Sequence, residues 1–383
     1  MSITHRAALP NDAIGSARAL PRTGLYGPLT DFMLLGGGSL ILMLGIWLLL
    51  PDDLGPTLRL VMILLANVIN HPHFGHSYQI FYRDFRAKAF GTYSPVLRAR
   101  YVFAGLIAPV LLATYLLGTL ALGADRVLGF SINIMAFFVG WHYVKQGYGM
   151  LMLDAALKKR FFTAPEKKLF LVNAYIAWIF AWAYANQAIN EEALWSLKAY
   201  TFAIPAPVLT IAGIAAAVSF ATCAAAVARR LRAAGSIPWN GIVAYLVSIY
   251  PWMLIKYAGG WMFLVVPACH SLQYLAVVWR YQLNREKAEA IMDGTAKAET
   301  AGCLVSAQKV RFASFVTRGM VLGFTGFWVL PMVLDKVVPY DHGRLGEDAF
   351  LGIFWVFINV HHYFLDNVMW RRENADMKKY LFE

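Results

Sequence analysis

Charge is scarce in this chain. Asp, Glu, Lys and Arg supply 15% of its 383 residues, while 59% are hydrophobic and the mean hydropathy is +0.53. A soluble domain carries about 25% charged residues. No compact soluble fold buries this much apolar surface and coats the rest with so few charges, so a soluble enzyme, a disordered chain and a disulfide scaffold are excluded. Cysteine is almost as rare. Cys223, Cys269 and Cys303 are far apart and form no CxxC pair, which excludes a disulfide framework and a thiolate zinc site. The opening segment MSITHRAALPNDAIGSARALPRTG has no apolar run, so no cleavable signal peptide is expected. There is no GxGxxG after a strand, no P-loop, no GxSxG and no HExxH. No repeat, low-complexity tract or second domain is visible.

What the chain has instead is long hydrophobic runs. A bilayer core of about 30 Å takes roughly 20 apolar residues per helix. Ten such runs occur, at about 29–50, 57–80, 101–123, 128–153, 169–187, 206–228, 239–257, 261–279, 314–334 and 348–370, the seventh and eighth separated only by Gly259-Gly260. The expectation is an all-α, polytopic integral membrane protein with about ten transmembrane helices. Its parts are a tail over 1–28, one helical domain over 29–370 and a second tail over 371–383. The charged, Ala-rich loop 280–313 reads as an interfacial helix.

The net charge of +12 would raise nucleic acid as a partner in a soluble protein. In a multi-span chain, Lys and Arg gather instead in cytoplasmic loops. With the N-terminus inside, 27 of the 34 basic residues fall on the cytoplasmic side, and only Arg59, Arg126, Lys198, Lys256, Lys336 and Arg344 fall outside. Both termini are therefore expected in the cytoplasm, and the location is the inner (plasma) membrane. The bilayer, and no nucleic acid, is the expected partner.

Seven of nine histidines lie in or at the ends of spans: His71, His73 and His76 in the second, His142 in the fourth, His270 in the eighth, and His361 and His362 in the tenth. All four are even-numbered and run from outside to inside. His73, His270 and His361 each precede the first cytoplasmic basic residue by ten positions, and His142 precedes Lys158 by sixteen. At 1.5 Å per residue, three sites lie on the order of 15 Å above the cytoplasmic border. Polar groups in lipid are costly unless they face a site or a cavity. Packing alone does not demand seven imidazoles in one layer; a metal or haem centre does.

Local spacing refines the candidates. Asn359, His362 and Asp366 share one helix face, with His361 about 100° away. Pro72 is expected to open its helix so that His71, His73 and His76 converge. His270 has Gln273 and Tyr274 one turn on, and His142 has Lys145 and Gln146 in the same places. The expected metal ligands are His71, His73, His76, His142, His270, His361, His362 and Asp366, enough for two ions with open positions. Asp366, Tyr274 and Lys145 are the candidate catalytic groups. Imidazole with carboxylate is the donor set of non-haem iron, with zinc and copper as alternatives.

The HPHFGH stretch at 71–76 and the His361-His362 pair resemble the histidine boxes of the membrane non-haem di-iron hydroxylases and desaturases. That resemblance covers a ligand type and a depth. It implies two irons, O₂ activation, attack on a C–H bond of a lipid-like substrate, and a separate reductase, which the basic rim at Arg83, Arg86, Lys158–Arg160 and Arg371 would attract. The segment ACHSLQY at 268–274 looks loosely like bacterial β-carotene-cleaving dioxygenases. Two other readings stay open: a b-type haem cytochrome, with His142 and His270 as axial pair, and a metal or proton transporter using the histidines and Lys145.

Overall fold

A spanning segment must satisfy its own backbone hydrogen bonds, which a helix does. The computed structural model describes residues 24–49, 55–91, 93–187, 191–253, 262–292, 301–371 and 373–382, and these are all-α apart from one hairpin. In chain order the helices are α1 (Pro28–Leu49), α2 (Gly55–Ala66), α3 (Asn70–Tyr82), α4 (Phe85–Phe90), α5 (Pro95–Ala121), α6 (Asp125–Leu157) and α7 (Ala164–Ala185). After the hairpin come α8 (Ala206–Ala234), α9 (Trp239–Ile249), α10 (Met262–Met292), α11 (Ala301–Phe324, continued to Val337), α12 (Ala349–Met369) and α13 (Ala375–Phe382). Seven of them, α1, α5, α6, α7, α8, α11 and α12, are long and apolar enough to cross a membrane.

The other three expected spans take different forms. The run 57–80 is broken at Asn67–Ile69 into α2 and α3. The break precedes Pro72, which sits in the first turn of α3, where a missing N–H costs nothing. Pro72 has no N–H for the carbonyl of Val68 four residues back, so the run opens there, ahead of the histidines and not among them. The run 239–257 begins as α9, and residues 262–279 form the first part of α10. Tail residues 1–23 and Gly259-Gly260 lie outside the described residues. Much of the 280–313 segment, expected as an interfacial helix, instead extends α10 to Met292 and starts α11 at Ala301. Arg285 pairs within this extension with Glu289 (2.6 Å) and ties it to Asp84 beside α4 (3.2 Å).

The hairpin was not expected from the sequence. Strand β1 (Glu191–Leu194) pairs antiparallel with β2 (Leu197–Tyr200), with Leu194 opposite Leu197. At its tip Trp195 has φ of 54°, a left-handed conformation that a bulky residue rarely adopts. β2 lies against α6 at Gly129, where any Cβ would strike the Lys198 carbonyl.

Three features position the site. First, α3 and α11 approach through glycine: a Cβ on Gly75 would strike the Gly319 carbonyl, and one on Gly323, a turn later, the His71 carbonyl. Small residues four apart let membrane helices touch at their backbones. Second, two π turns free carbonyls for side chains from neighbouring helices. In Met33–Gly37 of α1, the Leu35 carbonyl accepts from Gln273 of α10. In Phe103–Ile107 of α5, the Ala104 carbonyl accepts from His361 and that of Gly105 from Tyr82. Third, apolar cores lie on both sides of the histidines. One joins Leu25, Phe81, Tyr101, Val278, Leu365 and Leu381, and so holds both described chain ends. The other joins Leu116, Ile132, Leu197, Phe350, Ile353 and Val360 at the hairpin end.

Candidate metal centre

Three helices deliver four groups to a common point. His73 of α3, His142 of α6, and His362 and Asp366 of α12 place one ligand atom apiece within 4.8 Å of one another, all buried. α10 brings His270 alongside. The His73 and His362 Nε2 atoms stand 2.9 Å apart. Asp366 Oδ2 is 3.5 Å from His362 Nε2 and 3.6 Å from His142 Nε2. Two donors 2.1 Å from one ion stand about 3.0 Å apart at a right angle and about 3.4 Å apart at the tetrahedral angle. The observed separations are those of edges of one coordination polyhedron.

The surrounding hydrogen bonds aim the lone pairs inward. Ser271 Oγ donates its only proton to Asn70 Oδ1 (2.7 Å), so at 3.2 Å from His73 Nδ1 it accepts. Nδ1 of His73 therefore carries the proton, and its Nε2 lone pair points into the cluster. Asp366 is oriented the same way. Its Oδ1 accepts from Tyr274 OH (3.0 Å), which leaves Oδ2 for the histidines. Ser77 Oγ, 3.3 Å from Oδ1, donates to the Tyr274 oxygen at 2.5 Å.

Several nitrogens here have no hydrogen-bond partner: His142 Nε2, His362 Nδ1 and both nitrogens of His270 are buried and unpaired. A buried polar atom left unpaired costs about 1–3 kcal/mol. His270 stacks on Tyr143 (3.7 Å, 17°), with its ring 5.0 Å from His142 and 5.2 Å from His73. A cavity of 10 Å³, about one water in size, touches His270 and is lined by Tyr143, Ser248, Cys269 and Gln273. The unpaired His142 nitrogen beside the Asp366 carboxylate, 3.6 Å away, could hold a metal ion with its neighbours, and the small cavity lies on the His270 side of the group.

The remaining candidates are not brought to this point. His71 and His76 belong to the same helix as His73, and at 100° per residue a regular helix sends the three rings in different directions. His71 stacks on Phe327 (4.4 Å, 9°). His76 stacks on Phe315 (4.3 Å, 13°) and receives the Trp279 indole N–H at 3.4 Å. His361 donates from Nε2 to the Ala104 carbonyl (2.9 Å) and accepts at Nδ1 from Tyr78 OH (2.8 Å). The two-ion set of seven imidazoles is thus not assembled: three histidines and one aspartate converge, a fourth histidine flanks them, and three others pack elsewhere. Lys145 donates to Asn367, the neighbour of Asp366, and not to a ligand atom. Tyr274 touches Asp366 and positions it. Asn359 turns back to the Trp355 carbonyl (2.8 Å). Ser77 and Ser271 were missed by sequence reasoning; the only signal was a hydroxyl four residues after His73 and one immediately after His270.

No family model, curated protein or solved structure matches this chain. Its functional reading rests on its own geometry.

Proposed function

We propose that the chain is a ten-span plasma-membrane protein, with both termini cytoplasmic, whose buried centre binds one iron ion and oxidises a hydrophobic, membrane-dissolved substrate with O₂. The observation that carries the proposal is the convergence of His73, His142, His362 and Asp366 from three helices, with His142 Nε2 buried and unpaired beside Asp366. Three imidazoles and a carboxylate with an open position form a donor set suited to non-haem iron. Iron so held supplies O₂ activation and C–H oxidation. The protein's part is a fixed tautomer at His73, a carboxylate held by Tyr274, and apolar cores that exclude water on both sides.

Direct ring packing favours a bare ion over a haem. The rings of His73 and His362 are 4.4 Å apart and those of His142 and His270 5.0 Å, where axial haem ligands need a porphyrin-wide slot between them. The span count has support too. Leu25 and Leu381 share one apolar cluster, which calls for an even number of crossings. The seven long helices with the α2–α3 pair, α9 and α10 make ten. Insertion of oxygen into a C–H bond consumes two further electrons and two protons and releases water, so a separate electron donor at the basic cytoplasmic rim belongs to the proposal.

Elemental analysis and visible absorption of the purified protein test it. We expect about one iron per chain and no Soret band. Lipid extracts of cells grown with labelled O₂ should contain a labelled lipid only when the gene is present. A Soret band, or metal-free protein of full activity, overturns the reading.

A further inference from the structure

A second group of unpaired buried nitrogens lies around His71, on the face of α3 turned away from the metal centre. Asn67 Nδ2 donates to the Ile63 carbonyl (3.2 Å), so Asn67 Oδ1 is an acceptor, and it receives the Trp328 indole N–H at 2.9 Å. His71 Nδ1, 3.2 Å from the same oxygen, must therefore donate to it. That places the lone pair of His71 on Nε2, which is buried with no partner, in a residue with 0% exposure.

The ring is enclosed by aromatics from three elements. Phe327 stacks on it, Trp328 meets it edge-on (6.0 Å), and Trp355 of α12 stands perpendicular to it (6.3 Å, 89°). Trp195, at the hairpin tip, closes the box against Trp328 (5.3 Å) and Trp355 (6.1 Å). The left-handed backbone of Trp195 is what puts its indole there, a conformation that costs energy and persists only where the surroundings hold it. The indole N–H groups of Trp195 and Trp355 are also buried and unpaired. The side chains packed into this box thus carry two N–H donors and one acceptor nitrogen that have no partner within the protein.

A hydroxyl group has two acceptor lone pairs and one donor proton, the complement of this set. We propose that the aromatic box binds the hydroxyl end of a membrane-dissolved alcohol, with the hairpin tip as its cover. The box uses no residue of the metal centre, so the proposal stands apart from the oxidase reading. A carboxylate or ether brings no proton to His71 Nε2, and a hydrocarbon satisfies none of the three nitrogens. A trapped water offers the same two lone pairs and one proton more than an alcohol, and the test distinguishes the two.

The test is photo-labelling of the purified full-length protein with a long-chain alcohol carrying a diazirine close to its hydroxyl. Its methyl ether and the parent hydrocarbon, bearing the same diazirine, serve as controls. Peptide mapping should place the alcohol's label on His71, Phe327, Trp328, Trp355 or Trp195. Unlabelled hexadecanol should compete, and hexadecane should not. Trp355→Phe keeps a ring and removes one N–H, so labelling should weaken about fivefold, as expected for loss of one buried hydrogen bond. Its metal content, read separately, should stay unchanged. Equal labelling by alcohol, ether and hydrocarbon, or labelling unaffected by Trp355→Phe, would show a water-filled packing feature and overturn the proposal.

Discussion

His361 and His362 are neighbours on α12 and equally buried, yet their surroundings differ in kind. His361 is complete: one ring nitrogen donates to the carbonyl freed by the π turn of α5, the other accepts from Tyr78. That arrangement fixes its tautomer and uses both nitrogens. His362, one residue and about 100° further round the helix, has an unpaired Nδ1 and an Nε2 aimed at a second imidazole and a carboxylate. A histidine whose bonds are all made holds helices together. One that faces other ligand atoms, with its own needs unmet, is poised to bind something the protein does not itself supply.

The pair can be broken by substitution. His362→Ala removes a ligand and should abolish stoichiometric metal binding, read by elemental analysis, together with substrate oxidation. His361→Ala should leave the metal in place. Its cost falls on stability, because Tyr78 OH and the Ala104 carbonyl are left buried without partners, at about 1–3 kcal/mol each. Thermal unfolding in detergent reads that loss. Equal metal loss in both variants would erase the distinction between them.

The same contrast extends one shell outward. Tyr274 touches Asp366 but no imidazole nitrogen, so Tyr274→Phe should weaken metal affinity by roughly 10–100-fold, as outer-sphere changes do, without abolishing binding. A metal titration that gives the wild-type affinity would reduce Tyr274 to a packing residue.

The meeting of α3, α6, α10 and α12 was legible in the sequence. Depth follows from counting residues to the next basic position, and four helices carrying histidine at one level must hide those groups from lipid. Azimuth was less legible. On α12 the one-face pattern of His362 and Asp366 separated them correctly from His361, because that helix is regular throughout. On α3 the break at Asn67–Ile69, where Pro72 leaves the Val68 carbonyl without its N–H partner, reset the helix start ahead of the histidines. Which of His71, His73 and His76 faces inward then depends on the Gly75–Gly319 contact, a tertiary fact that no local spacing encodes. The hairpin was hidden for a similar reason: strands of four residues carry almost no periodicity, and what holds β2 is its seat on Gly129 of α6.

The last expected effect leaves the metal untouched and concerns a buried cation that contacts neither set of histidines. Lys88 of α4 lies 5% exposed beneath the apolar core that holds the chain ends, donating to the Ile80 carbonyl at 3.0 Å with the Tyr101 ring 5.8 Å away. Burial lowers its pKa from 10.5 to about 8. The folded protein therefore binds fewer protons at this site than the unfolded chain between about pH 8 and 10.5. Folding stability should rise with pH across that window, and the penalty for the buried charge should be fully present below it. Lys88→Met removes the titrating group and keeps most of the stem's packing, so its unfolding temperature should lose this part of the pH slope. Metal content should not move, because Lys88 touches none of the ligands. A variant with an unchanged slope would mean that Lys88 keeps its proton through hydration of its head group, and that the core around α4 is wetter than the packing there indicates.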